Sequence, residues 1–357
     1  HMEEHLMQLL KELSELDAVC GFEGAVRDYI RDKLDGLAEF DTDNLGSLIC
    51  TKTGTDAEPT IMIPAHMDEI GFVVKDIDES GCIRFATVGG WLDQVLLGHT
   101  VTVQTRKGDR PGVIGCTPPH MMPKEKRSKM IKKKTMFIDV GAEDAEDAEE
   151  MGVRIGDPIV PRQSCVRMHN DKYLMGKGWD DRAGCAVMIE LLKRLQGNDH
   201  PNTVCGVGTV QEEVGTRGAE TSADVVDPDF CLVLDVAIAT DVPGVDNEPD
   251  VGLGDGPVLY MLDAGTISHQ HLRDFVLETA ETHDIPLQLS LIEGGATDAR
   301  AVQLHSRGVA SVVFGIPTRY IHSHAGIIHA DDFESTLQLL LKLVMDLDGE
   351  KAAELLA

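Results

Sequence analysis

The chain has 357 residues, which is enough for one large domain or for two domains. Its 32 basic and 61 acidic residues give a formal net charge of -29, so electrostatic repulsion argues against nucleic acid or an anionic membrane as a partner. No apolar run reaches the roughly 18 residues of a membrane span, and no secretory signal is visible. The eight cysteines form no CxxC pair. We therefore expect reduced thiols in a cytoplasmic protein.

The predicted elements begin with helices. Leucines at helical spacing between Leu6 and Leu16 predict the first, and "VRDYIRDKL" predicts the second. Two strands are expected next, in "NLGSLICTK" and "TIMIPAHMDEIGFVV". From about Gly71 to Cys165, short alternating runs broken by Gly and Pro predict a small β-rich insertion. Its basic run "KEKRSKMIKKK" and its acidic run "AEDAEDAEE" are interpreted as a solvated loop and a solvated helix.

From Lys177 onward, helices and strands alternate. Helices are predicted in "AGCAVMIELLKRL", "HLRDFVLETAETH", "DARAVQLHSRG" and "DDFESTLQLLLKLVMDL". Strands are predicted in "NTVCGVGTVQ", "FCLVLDV", "PLQLSLI" and "ASVVFGI". This alternation predicts an α/β sandwich that is interrupted by the β-rich insertion.

Adjacent carboxylates stand where one of these strands is predicted to end, in "TVQEEVG" (209–215). Neighbouring strand residues face opposite sides, so either Glu212 or Glu213 would point into the core. A buried unpaired carboxylate costs several kcal/mol. Cations at this position would remove the penalty, with the chain bending at Val214–Gly215 so that both carboxylates reach one site.

Other strand ends carry further candidate ligands. His66 and Asp68 follow one strand, Asp235 follows another, and His322 comes after a third. Asp180 and its neighbour Asp181 precede a helix. Each has a simple structural alternative: a histidine that is exposed or hydrogen-bonded, a turn aspartate, a helix N-cap. Together, at one sheet edge, they predict divalent cations, and mixed nitrogen and oxygen ligands favour zinc, cobalt or manganese over calcium or magnesium.

Charge balance favours two ions. Two divalent cations would neutralise three ligating carboxylates and one shared hydroxide, which leaves a spare carboxylate as general base. Two metals about 3.5–4 Å apart share one water, lower its pKa and stabilise a tetrahedral oxyanion. One glutamate of the pair would therefore bind metal while its neighbour handles the proton.

Six segments resemble the M42 family of metallo-aminopeptidases, the glutamyl-aminopeptidase and tetrahedral TET peptidase group: "AHMDEIGFVV", "GWDDRAG", "TVQEEVGTRGA", "LDVAIATDVPG", "GGATDARAVQ" and "GIPTRYIHS". They occur in family order and cover nearly the whole chain. The resemblance implies that His66 and Asp235 hold one metal ion. It implies that Glu213 and His322 hold the other, with Asp180 bridging the two.

The same resemblance implies the remaining roles. Glu212 would be the general base and acid, and Asp68 would support the ligand His66. Asp298 is most simply interpreted as the cap of the helix "DARAVQL", with contact to substrate as the alternative. Two Zn²⁺, Co²⁺ or Mn²⁺ ions per subunit would then activate water to remove the N-terminal residue of short peptides. "GGATDAR" departs from the family pattern at Ala296 and Arg300.

The implied fold is a three-layer α/β/α sandwich of the zinc-peptidase type with an inserted small β-barrel-like domain. Residues 1–69 and 166–357 would form the catalytic domain, and residues 70–165 would form a dimerisation domain. Dimers of this group assemble into a hollow tetrahedral dodecamer that admits short peptides, so a homo-oligomer is expected.

Three other functions remain open on the sequence. The same metal site would serve a carboxypeptidase or an N-acyl deacetylase, and a non-catalytic metal-binding assembly protein would also keep the scaffold.

The role of the basic run 124–134 is open. His120 is a candidate for reaching a neighbouring active site across a dimer, whereas His324 and His329 are interpreted as exposed loop histidines.

Overall fold

The computed structural model of the chain describes residues 3–246 and 251–357. Over these residues the helices are α1 (Glu4–Glu15), α2 (Gly24–Leu34), α3 (Lys124–Arg127), α4 (Ala145–Glu150), α5 (Trp179–Arg194), α6 (Arg217–Val226), α7 (Gln270–Thr282), α8 (Ala299–Val302), α9 (Ala330–Asp346) and α10 (Gly349–Leu355). The strands are β1 (Glu39–Thr42), β2 (Leu48–Thr53), β3 (Thr60–His66), β4 (Gly71–Ile77), β5 (Ile83–Val88), β6 (Thr100–Thr105), β7 (Gly108–Gly115), β8 (Phe137–Asp139), β9 (Pro158–Pro161), β10 (Val166–Arg167), β11 (Tyr173–Gly176), β12 (Thr203–Thr209), β13 (Phe230–Ile238), β14 (Val258–Leu262), β15 (Gln288–Leu291), β16 (Ala310–Thr318) and β17 (Gly326–His329).

The main sheet positions the candidate site. Among the described residues it has eight strands, in the order β1-β2-β12-β3-β13-β16-β14-β15. The central strands β12, β3, β13 and β16 are parallel neighbours. Because parallel strands run in the same direction, their carboxyl ends meet at one edge, where α/β sheets bind their ligands.

Helices cover both faces of this sheet. Along β13, Leu232 and Leu234 pack in the core cluster that contains residues of α1, α2, α5, α7 and α9. The alternate residues Cys231 and Val233 pack with α6 and α8 on the opposite face. Successive side chains of a strand point to opposite faces, so this alternation confirms the predicted three-layer α/β/α sandwich.

The β-rich insertion is a closed barrel with strand order β4-β5-β8-β7-β6-β9, formed entirely of described residues. Its core is separate from that of the sandwich, and Phe72 stacks on Trp91 there with ring centroids 4.9 Å apart. The barrel-like insertion is thus confirmed, and its strands lie inside the predicted range 70–165. Its predicted role in dimerisation stays a prediction.

Two predicted elements differ from the structure. The run "TIMIPAHMDEIGFVV" is two strands, because β3 ends at His66 and β4 begins at Gly71 after the chain has crossed from the sheet to the barrel. The helix expected in "DARAVQLHSRG" is a single turn ending at Val302, and the chain then turns through Ser306 at φ 52. Among the described helices, none combines the length and the apolar character of a membrane span.

Candidate metal centre and active site

The carboxyl edge of the parallel strands collects the residues singled out in the sequence. His66 ends β3 and pairs in register with Thr209, the last residue of β12. Asp235 lies within β13, which continues to Ile238. His322 follows β16 in a loop and has a left-handed backbone, with φ 59. Three neighbouring strands therefore deliver these side chains to one place.

The glutamate pair does not belong to a strand, contrary to our expectation. Strand β12 ends at Thr209, and Gln211 adopts a left-handed conformation with φ 56. A 3-10 turn then begins at Glu212 and includes Glu213. The chain thus bends before the pair, at Gln211, and again after it, where Gly215 has φ 120, and both carboxylates face the same cavity.

Asp68 holds this turn in place. Its fully buried carboxylate accepts the backbone N–H groups of Glu212 at 3.0 Å and Glu213 at 3.1 Å. The Nδ1 atom of His66 lies 3.0 Å from the Asp68 carbonyl oxygen and 3.5 Å from its carboxylate. Asp68 therefore orients both the imidazole and the glutamate turn, and the second contact was not predicted from the sequence.

Asp180 connects the two histidines. Its Oδ1 lies 2.9 Å from Nε2 of His66, and its Oδ2 lies 3.2 Å from Nε2 of His322. Its backbone and that of Asp181 depart from helical geometry at the start of α5. The buried Asp181 carboxylate accepts the backbone N–H groups of Gly184 at 3.0 Å and His66 at 3.2 Å. Asp180 thus faces the site while Asp181 fixes the end of β3.

The remaining acidic groups surround these contacts. Nε2 of His66 is 3.8 Å from Oε2 of Glu212 and 4.0 Å from Oδ1 of Asp235. Nε2 of His322 is 3.2 Å from Oε1 of Glu213. Ligand atoms of His66, Asp180 and Glu213 all lie within 4.8 Å of one another. One cluster therefore contains His66, Asp180, Glu212, Glu213, Asp235 and His322.

Too much negative charge is buried here for the protein alone to balance. Burial is the main factor that raises the pKa of Glu212, Asp235 and Glu213, and neighbouring carboxylates raise it further. Cations bound among these carboxylates would offset the burial and the mutual repulsion, and would favour their ionised forms.

The histidines respond to the same charge. Burial lowers the pKa of His322, but the neighbouring carboxylates of Asp180 and Glu213 outweigh it and raise that pKa to about 11. The pKa of His66 is raised in the same way, against burial, by Asp180 and Asp68. Burial also opposes ionisation of Asp180, yet its bonds with both histidines lower its pKa.

The donor set fits divalent metal ions. Oε1 of Glu213 is buried and has no hydrogen-bond partner among the described residues, since its contact with His322 lacks hydrogen-bond geometry. Imidazole nitrogens and carboxylate oxygens at this spacing are ligands that zinc and its neighbours accept. A cation would satisfy the orphaned oxygen and remove the repulsion between the carboxylates.

The cluster opens into a cavity of about 800 Å³. Its walls include Gly90, Trp91 and Leu92 of the barrel, which the sequence did not associate with the site. A Cβ atom on Gly90 would lie 3.1 Å from Nδ1 of His322, so the barrel touches a candidate ligand directly. The barrel therefore forms part of the cavity wall as well as a separate core.

Asp298 lies behind this cavity. It is 2% exposed, its Oδ2 accepts the hydroxyl of Thr209 at 2.6 Å, and its Oδ1 has no partner among the described residues. Burial raises its pKa to about 6. It makes no side-chain capping bond, and the cavity is lined by its neighbours Thr297 and Arg300 instead. Its contact with substrate stays a prediction.

The additional histidines are not all exposed, contrary to expectation. His324 is 1% exposed, stacks on His99 at 3.8 Å between ring centroids, and has no hydrogen-bond partner for either ring nitrogen within the described segments. His329 is buried and accepts the backbone N–H of Asp331 at 3.2 Å, which caps α9. His120 is exposed and lies outside the cavity.

A second buried charge cluster lies beside the site and was not predicted. Nζ of Lys177 is 2.8 Å from Glu69 and 2.6 Å from Asp17. The fully buried guanidinium of Arg182 reaches Glu69 at 3.4 Å and donates to the carbonyl of Met67 at 2.8 Å. These ion pairs hold the segment between β3 and the barrel.

Comparison with known proteins identifies the family. The family model described as M42 glutamyl aminopeptidase matches residues 46–339. The chain belongs to the M42 family of aminopeptidases. A glutamyl aminopeptidase of Lactococcus lactis is 37% identical over 98% of this chain and 99% of its own length. A lysyl aminopeptidase of Pyrococcus furiosus is 35% identical over 95% of this chain and 97% of its own length.

Solved structures agree with the M42 assignment. A TET aminopeptidase from a marine sediment Thaumarchaeota archaeon matches with a TM-score of 0.96 and 44% identity, covering 99% of both chains. The TET1 peptidase of Pyrococcus horikoshii matches with a TM-score of 0.87 and 33% identity, over 96% of this chain and 100% of that one. That peptidase assembles into a tetrahedron or a large octahedral shell. This M42 member is an aminopeptidase, a hydrolase, and the predicted enzyme class is confirmed.

Proposed function

We propose that the enzyme uses two divalent metal ions to remove N-terminal residues from short peptides. His66 and Asp235 would hold one ion, Glu213 and His322 would hold the other, and Asp180 would bridge them. The observation that carries this proposal is the position of Asp180. Its two carboxylate oxygens face different histidines, at 2.9 Å and 3.2 Å.

When bound, the ions would lower the pKa of water and polarise the scissile carbonyl group. The ligand types suit zinc, cobalt or manganese. Asp68 would keep His66 and the glutamate turn in position, because its carboxylate and carbonyl contact both.

Glu212 would act as general base and then as general acid. Its carboxylate lines the cavity, and burial raises its pKa. A carboxylate with a raised pKa accepts a proton readily and returns it readily, here from water to the leaving amine. Glu212 and the proposed ligand Asp235 lie at similar distances from Nε2 of His66, 3.8 Å and 4.0 Å, so the metal content of a Glu212 variant distinguishes proton transfer from metal binding.

A carboxypeptidase or an N-acyl deacetylase would require the same ions but would not require a free N-terminal amine. Aminoacyl-p-nitroanilides and their N-acetyl forms distinguish these activities. We expect EDTA-treated enzyme to be inactive, and Zn²⁺, Co²⁺ or Mn²⁺ to restore cleavage of the free-amine substrates only. Cleavage of the acetylated set would favour the deacetylase. Release of the C-terminal residue from N-acetylated dipeptides would favour the carboxypeptidase, and absence of every activity would favour a non-catalytic metal-binding assembly protein.

We further propose that the barrel region 70–165 forms a dimer interface, with residues 1–69 and 166–357 as the catalytic domain, and that dimers build a tetrahedral dodecamer. The likeness to the shell-forming TET1 peptidase supports this assembly. Light scattering on the purified enzyme should give twelve times the subunit mass of 38.8 kDa. A monomer at micromolar concentration would contradict the proposal.

A further inference from the structure

The cavity contains one cationic side chain that the proposed chemistry does not use. Arg300 lines the cavity and is exposed. Within the described part of the chain, its guanidinium forms no ion pair and no side-chain hydrogen bond. Guanidinium groups bind carboxylates through two parallel hydrogen bonds, so an unpaired one in a substrate cavity is a ready carboxylate site.

The aliphatic part of Arg300 is held close to a neighbouring loop. A Cβ atom on Gly265 would lie 2.7 Å from Cβ, 2.8 Å from Cγ and 2.9 Å from Cδ of Arg300. The carboxylate of Asp263 accepts the backbone N–H of Gly265 at 2.7 Å and so fixes that loop. The side-chain stem therefore lies along a fixed backbone, and less rotational freedom is lost when the head group binds a ligand.

The cavity that Arg300 lines also offers apolar surface to the stem of a substrate side chain. Ile238, Ile292 and Tyr260 line the same cavity. The acidic groups on its wall, in contrast, are those of the candidate metal centre, namely Asp180, Glu212, Glu213 and Asp235. Bound metal ions would compensate that acidic set, which leaves Arg300 as an uncompensated charge.

We propose that Arg300 is a specificity-determining residue that binds a carboxylate of the substrate. The carboxylate comes either from an acidic N-terminal side chain or from the free C-terminus of a dipeptide. This inference rests on the proposed aminopeptidase site. Family membership does not decide it, because relatives named for glutamyl and for lysyl substrates both match this chain.

Two substrate pairs distinguish the sources. Glu-p-nitroanilide against Leu-p-nitroanilide reports on an acidic side chain, and Leu-Gly against Leu-Gly-amide reports on a free C-terminus. Arg300→Gln should lower kcat/KM for the carboxylate member of one pair, relative to its partner, by about 10- to 100-fold. Arg300→Glu should then favour the cationic analogue, Lys-p-nitroanilide, over Glu-p-nitroanilide. Ratios that stay within twofold of the unmodified enzyme for both pairs would overturn the proposal.

Arg307→Gln is the matched control, because Arg307 is exposed and lies outside the cavity. It changes the net charge equally and should leave both ratios unaltered. Calorimetric binding of L-glutamate, L-leucine and Gly-Gly to the metal-loaded enzyme needs no turnover. If the metal-loaded enzyme is inactive but its binding of a carboxylate ligand still depends on Arg300, the proposed function is refuted and the role of Arg300 is not. Binding of all three ligands that is unaffected by Arg300→Gln would refute the role of Arg300.

Discussion

Two buried charge clusters lie side by side, and only one of them contains its own counterions. In the first, Glu69 and Asp17 are paired with Lys177 and Arg182. In the second, the basic partners that the described residues offer to the carboxylates around Asp180 are two histidines, His66 and His322. The same short segments supply both, since Asp68 precedes Glu69 and Asp181 precedes Arg182 in the chain.

This difference predicts that the paired cluster serves the stability of the fold and that the uncompensated cluster serves metal binding and catalysis. A buried ion pair with both partners present contributes little net stability but is costly to break. A buried group of carboxylates without cations is unstable until ions from solution bind to it. Variants in the uncompensated cluster should therefore change metal content or turnover, whereas variants in the paired cluster should change stability.

Asp180→Asn should have the largest effect, because it removes negative charge from the carboxylate that faces both histidines. We expect turnover to fall by roughly 10³-fold or more, together with the loss of at least one ion per chain. Metal analysis and kinetics on the same preparation test this. The control is Asp32→Asn, an exposed position on α2. Full metal content and full activity in Asp180→Asn would contradict the assignment of the uncompensated cluster to metal binding.

Glu212→Gln should lower kcat by about 10²- to 10⁴-fold while metal content stays normal, because it removes proton transfer and leaves the predicted ligands in place. Glu220→Gln makes the same chemical change at an exposed position on α6, outside the site, and should leave kcat and metal content unchanged. A Glu212→Gln enzyme with unaltered turnover would refute the assignment, and one that lost its metal would make Glu212 a ligand.

Asp68→Asn should weaken metal binding by about 10- to 100-fold, as is typical when a group that orients a ligand is changed. The amide can still accept one backbone N–H of the glutamate turn, so folding should persist. Competition with a coloured chelator measures the affinity. An unchanged dissociation constant would mean that the Asp68 carbonyl alone orients His66.

Lys177→Met should have the smallest effect on the metal centre and a clear effect on stability. It leaves Glu69 buried with a weaker partner, and the free energy of unfolding should fall by about 3 kcal/mol. Lys172→Met removes an exposed, solvent-screened pair with Asp331 and should leave the free energy of unfolding almost unchanged. Urea denaturation measures both. Equal stability of the two variants, or metal loss in Lys177→Met alone, would contradict the division between the clusters.

Periodicity and strand-end residues were enough to predict an α/β sandwich, a β-rich insertion and a polar cluster at one sheet edge. The three layers and the barrel-like form of the insertion were implied by the resemblance to the M42 family. Periodicity and strand-end residues failed where tertiary contacts decide the local geometry. The turn after Gln211, which has φ 56, is stabilised by Asp68 from the segment between β3 and β4, and no neighbouring residue in the sequence indicates it.

Contacts between segments that are distant in the chain could not be predicted from the sequence either. Gly90 reaches His322 from the barrel, and Lys177, just after β11, contacts Glu69, which lies between β3 and β4. Burial of His324 depends on stacking with His99, which is remote in the chain. Such contacts depend on how the barrel sits on the sandwich, and composition and spacing contain no information about that.

The most direct test of the central claim is the number of metal ions that the site binds. Stripped enzyme would be dialysed against increasing zinc, and bound metal and activity would be measured at each concentration. We predict two ions per chain at saturation, lost together with activity in Asp180→Asn but not in Asp32→Asn. Full activity with one ion per chain, or with none, would contradict a dinuclear site.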